Sequence, residues 1–232
     1  MTYSTMPSLI GDAGPEAPRC AHLVAEPRRD ETDPMTSHLL SWSGLDDPDR
    51  SDHACIELSE SSMHAIGSTQ TRHFSSAWEL DVASGWMTQA LRVSTRGFGS
   101  SRWLELTRSE SGRWSAEAGA QGDTKLPPPG LDEPATLDDA IDCDLGLCPV
   151  TNTMPIRRLG LLDRDVPATQ LATAWVEMPS LRVLRSEQVY ASQWEGERRL
   201  VRYSSLRGDF SADLTVDSHG LVIDYPSLAR RA

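Results

Sequence analysis

Trp86-Met-Thr-Gln-Ala-Leu-Arg-Val-Ser94 is the stretch that decides the fold class, because two sets of side chains alternate along it. One face would carry Trp86, Thr88, Ala90 and Arg92, and the other face would carry Met87, Gln89, Leu91 and Val93. A period of two residues is the pattern of a β-strand whose faces have different surroundings. The segment therefore predicts a strand.

Similar patterns lie on both sides of this segment, separated by turn residues. The further strand candidates span residues 53–58, 64–69, 78–82, 102–107, 171–178, 181–185, 188–194, 199–204, 210–216 and 221–225. Turns are predicted where Asp or Ser precedes Gly85, Gly112 and Gly220, because glycine adopts the positive φ that tight turns need. Convincing amphipathic helices are nearly absent. The sequence predicts an all-β, antiparallel fold with little helix, and it leaves open whether the two halves are similar meanders.

Composition divides the chain into a tail and one domain. Residues 1–37 contain five prolines and few apolar side chains, a composition that cannot offset the entropy cost of ordering. We predict a disordered tail over 1–37 and a single domain over 38–232, with a flexible proline-rich loop at 119–135. Translation could start at Met1 or at Met35, and the sequence leaves this open.

Charge and hydropathy argue against several classes of function. The 232 residues include 22 Lys and Arg and 34 Asp and Glu, so the net charge is −12. This balance argues against nucleic acid binding and against a polybasic patch for anionic lipids. No stretch reaches the roughly 18 apolar residues of a membrane span, so membrane insertion is not expected. Met1–Asp12 lacks the basic and apolar regions of an export signal, so we expect a cytoplasmic protein with reduced cysteines.

A polar tract lies between the two halves and reads Asp142-Cys-Asp-Leu-Gly-Leu-Cys-Pro-Val-Thr-Asn-Thr-Met-Pro-Ile-Arg-Arg-Leu159. It concentrates carboxylates, thiols, an amide and two guanidinium groups. Pro149 and Pro155 would interrupt a helix or a central strand, so we predict an irregular segment. Irregular polar segments of this kind often line binding sites.

The charged residues of the tract allow more than one chemistry. In an extended segment Asp142 and Asp144 share one face, where paired carboxylates could serve hydrolysis with Arg157 as a partner. The ordinary alternative is that one acid caps a turn or pairs with an arginine. Adjacent arginines would point to opposite faces, so at most one of Arg157 and Arg158 would face a cavity, and the other would form a salt bridge.

The sequence gives little support for a metal site, a catalytic nucleophile or a phosphate-binding loop. Cys143 and Cys148 have no second Cys or His pair at zinc spacing, so we expect two small buried thiols near a turn and no metal. A Gly-x-Ser-x-Gly elbow and a glycine-rich phosphate loop are both missing from the sequence. No cofactor is expected.

Three parts of the sequence resemble a family of glycolipid-binding proteins that was formerly a domain of unknown function. They are the tract itself, Gln188-Val-Tyr190, and the segment from Phe210 to Val216-Asp217-x-x-Gly220-Leu221-Val222-x-Asp224-Tyr225-Pro226. The resemblance covers residues 38–230. It implies a many-stranded antiparallel spiral β-roll, an incomplete barrel, which agrees with the independent strand pattern. It also implies a glycolipid or lipid-like ligand in the groove of the curved sheet.

The preferred hypothesis is a non-catalytic protein that binds an amphipathic small molecule. Its polar rim would comprise Asp142, Asp144, Asn152, Arg157, Arg158, Tyr190 and Tyr225. Two alternatives stay open: a buried Asp–Asn–Arg network that only joins the sheets, and a hydrolase that uses Asp142 or Asp144. A large apolar pocket would favour binding, whereas a filled interior would contradict it. The sequence leaves the oligomeric state open.

Overall fold

The computed structural model describes residues 35–122, 125–196, 198–206 and 210–232. The first 34 residues of the predicted tail lie outside the described residues, and the first strand begins at Thr36. The described part contains fifteen strands, one short α-helix and two 3-10 turns. The prediction of an all-β fold with little helix is confirmed.

The first seven strands form an antiparallel meander in chain order. Their bounds are Thr36–Gly44 (β1), Ser51–Leu58 (β2), Met63–Gln70 (β3), Phe74–Ala83 (β4), Met87–Gly97 (β5), Ser100–Arg108 (β6) and Trp114–Gly122 (β7). Directly paired residues point to the same face, so apolar side chains line up across neighbouring strands. One such row runs across five strands and is fully buried: Ile56, Ala65, Leu80, Leu91 and Leu106.

The second half contributes eight more strands among the described residues. Their bounds are Gly130–Leu131 (β8), Asp142–Leu145 (β9), Val166–Val176 (β10), Arg182–Glu195 (β11), Arg198–Ser205 (β12), Phe210–Val216 (β13), Val222–Tyr225 (β14) and Ala229–Arg231 (β15). β10 to β15 form a second antiparallel meander, whereas β9 pairs with β10 and β8 pairs with β11 in parallel. Because β15 pairs with β1, both meanders belong to one sheet.

The sheet curls but does not close. Its strand order runs from β7 through β1 to β15 and on to β9, and within the described ranges the end strands β7 and β9 are not paired with each other. β9 instead lies against β5, where the backbone N–H of Cys143 donates a 2.8 Å hydrogen bond to Oγ1 of Thr88. The result is the rolled, incomplete barrel that the resemblance implied.

Two apolar cores stabilise the roll. The larger core fills the first meander and includes side chains from the polar tract, among them Leu145 and Met154. The smaller core packs Ile156 against side chains of β11 to β14, including Tyr190 and Leu214. The tract between the meanders thus reaches both cores.

The predicted strand over 86–94 needs two corrections. Trp86 lies in the turn between β4 and β5 with a φ of 61°, next to Gly85 with a φ of 81°. The pairing register between β4 and β5 shifts at a β-bulge. A bulge inserts an extra residue, which breaks the alternation of faces, so the neighbours Ala90 and Leu91 are both buried.

The polar tract is more regular than predicted. After β9 it forms a 3-10 turn over Pro149–Asn152 and then a helix, α1, over Thr153–Arg158. Pro155 lies in the first turn of α1, where a backbone N–H has no helical partner to lose. Arg157 and Arg158 are therefore neighbours in a helix, not residues of an extended segment.

The chain between the two meanders also differs from the predicted loop at 119–135. β7 continues to Gly122, β8 pairs with β11 within the loop, and a 3-10 turn begins at Pro134. Pairing partners that are distant in sequence extend strand structure into a stretch whose local composition favours a loop.

Candidate functional site

A cavity of about 560 Å³ lies on the side of β9–β14 that carries the smaller core. Strand pairing explains which side chains reach it. Gln188 on β11 lies opposite Ser205 on β12, and Ser205 lies opposite Phe210 on β13. Because paired residues share a face, these three side chains form one row of the wall. The turn that follows β9 and the turn that follows β14 complete it.

The wall combines apolar and hydrogen-bonding side chains. The apolar and aromatic group is Leu145, Leu147, Cys148, Trp175, Met178, Tyr203, Phe210, Tyr225 and Leu228. The hydrogen-bonding group is Asp144, Asn152, Glu177, Ser186, Gln188, Ser205 and Ser227. This mixture is typical of sites for small organic molecules, in which apolar walls supply contact and a few polar groups orient the ligand.

Three aromatic rings pack against one another along the wall. The ring centroids of Tyr203 and Tyr225 are 5.8 Å apart, and Phe210 lies 6.3 Å from Tyr203 and 6.1 Å from Tyr225. Tyr190 meets Tyr203 edge-on at 5.3 Å from the other side. These separations are typical of favourable aromatic pairs, so the rings pack directly against one another and form a continuous part of the wall.

A hydrogen-bonded network holds the polar part of the wall. Asp144 accepts hydrogen bonds from Oγ1 of Thr151 at 2.9 Å and from Nε2 of Gln188 at 2.6 Å. The hydroxyl of Tyr190 donates to Oδ1 of Asn152 at 2.9 Å. The same hydroxyl lies 3.4 Å from Oε1 of Gln188, which links the two halves of the network. Both amides are therefore oriented before a ligand arrives.

Burial is the main influence on the ionisation of the cavity wall. Burial raises the pKa of Asp144, and the hydrogen bonds from Thr151 and Gln188 oppose that rise. Burial also raises the pKa of the Tyr203 and Tyr225 hydroxyls above that of free tyrosine. Both phenols are thus neutral hydrogen-bonding groups at ordinary pH.

Asp142 and Arg158 form a separate pair outside the cavity. Both terminal nitrogens of Arg158 donate to the Asp142 carboxylate, one of them at 2.6 Å to Oδ2. The Asp142 side chain is only 1% exposed. Burial raises the pKa of Asp142, while the Arg158 guanidinium acts in the opposite direction. Nη1 of Arg158 also donates to the backbone carbonyl of Trp86, so the pair ties α1 to β9 and to the turn after β4.

Arg157 lies on a different surface. Its guanidinium lies over the Trp86 ring, 5.0 Å from the ring centroid, and its Nη2 donates to the Glu60 carbonyl at 3.3 Å. These residues border a hollow of about 320 Å³ that His219 also lines. Arg157 therefore does not reach the cavity of β9–β14.

Comparison with known proteins agrees with this architecture. The model of the family described as "Putative glycolipid-binding" matches residues 39–231. The chain belongs to this glycolipid-binding family. The resemblance found in the sequence is thereby confirmed.

A solved structure shares the fold of this chain. The crystal structure of a DUF1089 family protein from Pseudomonas aeruginosa is 26% identical in sequence, with a TM-score of 0.58. The similarity covers 78% of this chain and 92% of that chain. A comparison with curated proteins gives no match. Among the described residues, no helix has the length and apolar character needed to cross a membrane.

The structure brings together only some of the rim residues predicted for this family member. Asp144, Asn152 and Tyr225 line the cavity. Tyr190 is buried behind the wall, where it supports Asn152 and Gln188. The other three predicted residues, Asp142, Arg157 and Arg158, lie outside the cavity. The predicted salt bridge of one arginine is present, between Arg158 and Asp142.

Several residues that line the cavity are not among the rim residues predicted from the sequence. Tyr203, Phe210, Trp175, Glu177 and Gln188 all face the cavity. Strand alternation was the signal that could have found them. Gln188 lies two residues from Tyr190 on one strand and so shares its face, and Tyr203 is the cross-strand partner of Tyr190.

The two thiols of the tract are buried, as predicted. Burial raises the pKa of the Cys143 thiol to about 12 and also raises the pKa of the Cys148 thiol. Both side chains belong to the larger apolar core, where protonated thiols pack as small apolar groups.

Proposed function

We propose that this member of the glycolipid-binding family holds an amphipathic, lipid-like molecule in the cavity of β9–β14 and does not transform it. The observation that carries this proposal is the cavity itself, whose volume lies within the range of about 300–1,000 Å³ usual for small-molecule sites. The roll interior is therefore not filled in this half, which is the condition that the binding hypothesis requires. The family description supports a glycolipid.

The wall offers separate surfaces for the two parts of such a molecule. Leu145, Met178 and Leu228 supply apolar surface for a hydrocarbon chain, whose burial is favourable in proportion to area. Asn152 and Gln188 are oriented amides that can hydrogen-bond a polar headgroup. An amphipathic ligand uses both surfaces, whereas a purely polar molecule would leave the apolar wall in contact with water.

The arrangement gives less support to the alternative of a hydrolase. That alternative needs Asp142 and Asp144 to face one substrate, with Arg157 beside them. Asp142 is instead engaged by Arg158, and Arg157 lies at another surface. The absence of catalysis and a cytoplasmic location remain predictions.

A pair of neighbouring serines allows a sharp test. Ser205 lines the cavity, and Ser204 precedes it on β12 and so points to the opposite face. Ser205→Trp would place an indole ring inside the cavity and obstruct it, whereas Ser204→Trp adds the same volume outside it. The full-length chain and both variants would be purified from the host and analysed by native mass spectrometry and lipid extraction.

We expect a co-purified lipid with the wild-type chain and with Ser204→Trp, and its loss with Ser205→Trp. Equal amounts of lipid in both variants would show that the ligand lies elsewhere. If no lipid co-purifies, n-octyl β-D-glucoside added to the three proteins serves as the probe, and failure of the wild-type chain to bind it would contradict the proposal.

A further inference from the structure

Two carboxylic acids line the cavity. They are Asp144 and Glu177, and no Lys, Arg or His is among the described residues of the wall. Asp144 accepts its two hydrogen bonds from a hydroxyl and an amide, and Glu177 accepts one from Oγ of Ser180 at 2.5 Å. The described lining thus offers two carboxyl groups and no cationic side chain.

Three arginines of the neighbouring elements are engaged by other partners. Arg158 binds Asp142, and Arg157 lies over Trp86. Arg50 approaches the wall from behind, where its Nη2 donates to the Leu228 carbonyl. Its charge is balanced there by Asp46, at 2.9 Å, and by Asp52, whose Oδ2 lies 3.1 Å from Nε.

An anionic headgroup would be poorly accommodated in this environment. Phosphate and carboxylate groups are recognised by guanidinium, ammonium or clustered backbone N–H donors, and an unpaired charge taken out of water is costly. Two carboxylic acids on the wall add repulsion wherever they are ionised.

Hydroxyl groups fit the same wall well. A sugar or polyol hydroxyl both donates and accepts hydrogen bonds, as do the serine hydroxyls and side-chain amides of the wall. The Asp144 carboxyl offers acceptor sites beyond the two that Thr151 and Gln188 occupy. Trp175 and Phe210 add aromatic surface against which the C–H groups of a sugar ring can pack.

We infer that the headgroup held in this cavity is rich in hydroxyl groups, and that anionic headgroups are rejected. The inference deepens the proposed function and rests on it. Arg157 and Arg158, which the sequence predicts in the polar rim, then have no part in recognition of the headgroup.

Three amphiphiles with the same alkyl chain test this inference. They are n-octyl β-D-glucoside, octyl phosphate and octyltrimethylammonium, each titrated below its micelle concentration into the full-length chain and followed by isothermal titration calorimetry or ligand-observed NMR. We expect the glucoside to bind at least about tenfold more tightly than the phosphate, and more tightly than the ammonium compound. Ser205→Trp should abolish glucoside binding, and Ser204→Trp should not.

Asp144→Asn isolates the charge on the wall. It should weaken glucoside binding and improve phosphate binding, so the ratio between the two affinities falls. Asp213→Asn is the matched control. Asp213 is an exposed residue of β13 that pairs with Arg202, so the substitution removes the same charge outside the cavity. This control should leave the ratio unchanged.

Each contrary outcome has a different meaning. Binding of the phosphate or the ammonium compound as tight as that of the glucoside, with Ser205→Trp blocking it, would overturn the inference and leave the cavity as the binding site. If no amphiphile binds, or if binding survives Ser205→Trp, the proposed function and the inference fall together.

Discussion

Arg158 and Asp142 lie sixteen residues apart in sequence and meet as a two-pronged ion pair, with Nη2 2.6 Å from Oδ2. The Arg158 side chain is 16% exposed and that of Asp142 is 1% exposed, so water screens the pair little. Arg158 belongs to α1 and Asp142 to β9. The pair therefore sets where the helix lies against the end of the sheet, and Asp144 follows two residues later on the same strand. The Arg158–Asp142 ion pair therefore has a structural role next to the cavity.

Arg158→Met is expected to lower the free energy of unfolding by about 3–5 kcal/mol, because it leaves the Asp142 carboxylate buried without a partner. The double variant Asp142→Asn with Arg158→Met should recover much of this loss, since no buried charge remains. Urea unfolding at neutral pH measures both. A double variant less stable than Arg158→Met alone would contradict this account of the pair.

Tyr190→Phe tests whether the hydroxyl of Tyr190, which lies behind the cavity wall, orients the Asn152 amide. The variant removes the hydroxyl that donates to Asn152, and we expect a loss of about 1 kcal/mol in the free energy of unfolding. It should also weaken binding of n-octyl β-D-glucoside, although Tyr190 does not line the cavity, because the amide loses its orientation. A double-mutant cycle with Asn152→Ala is the control. Additive losses in that cycle would show that the hydrogen bond does not link the two residues.

Gly67 on β3 tests the packing of the first meander. A Cβ atom built on Gly67 would lie 2.2 Å from the ring of Trp78, its partner on β4, and 2.5 Å from the His53 carbonyl. Gly67→Ala should therefore cost about 1–3 kcal/mol of unfolding free energy through overpacking. Gly97→Ala is the matched control within β5, because its nearest atoms are 3.4 Å or more away. Similar losses in the two variants would contradict the role of close packing.

Local sequence carries much of the strand pattern but not its interruptions. Alternation and turn glycines predict the meanders, and Gly85, Gly112 and Gly220 all have positive φ. The bulge in β5 arises from pairing with β4, so a period of two along one strand cannot reveal it. Trp86 adopts positive φ in a turn although it belongs to a residue type that favours strands.

The site depends still more on contacts between distant residues. Asn152 and Tyr225 lie 73 positions apart, and the pairing of five strands brings them to one cavity. The tract and the resemblance predict both as site residues. Two prolines in the tract argue against a helix, so the sequence predicts an extended segment for Arg157 and Arg158. The helix begins two residues before Pro155, so its first turn accepts the proline, and the arginines face other partners.

Asp144→Asn should change how stability depends on pH. The folded pKa of Asp144 lies above the ordinary value of 3.8, chiefly because of burial. The folded state then holds this proton more tightly than the unfolded chain. The contribution of Asp144 to the unfolding free energy therefore falls as the pH rises from about 3.8 through the raised pKa. Asn carries no such proton. Relative to wild type, the variant should gain stability across this window and then level off.

Urea unfolding of both proteins at several pH values between about 4 and 7 measures this difference, in which the titrations common to both proteins cancel. Asp213→Asn, the surface control, reports the effect of losing one exposed carboxylate partner of Arg202. The unfolding free energy of Asp144→Asn minus that of wild type could instead stay constant or fall as the pH rises. Either result would mean that the cavity does not destabilise the ionised form of Asp144. The cavity wall would then be a more polar environment than its lining implies, and an anionic headgroup would be easier to accommodate there.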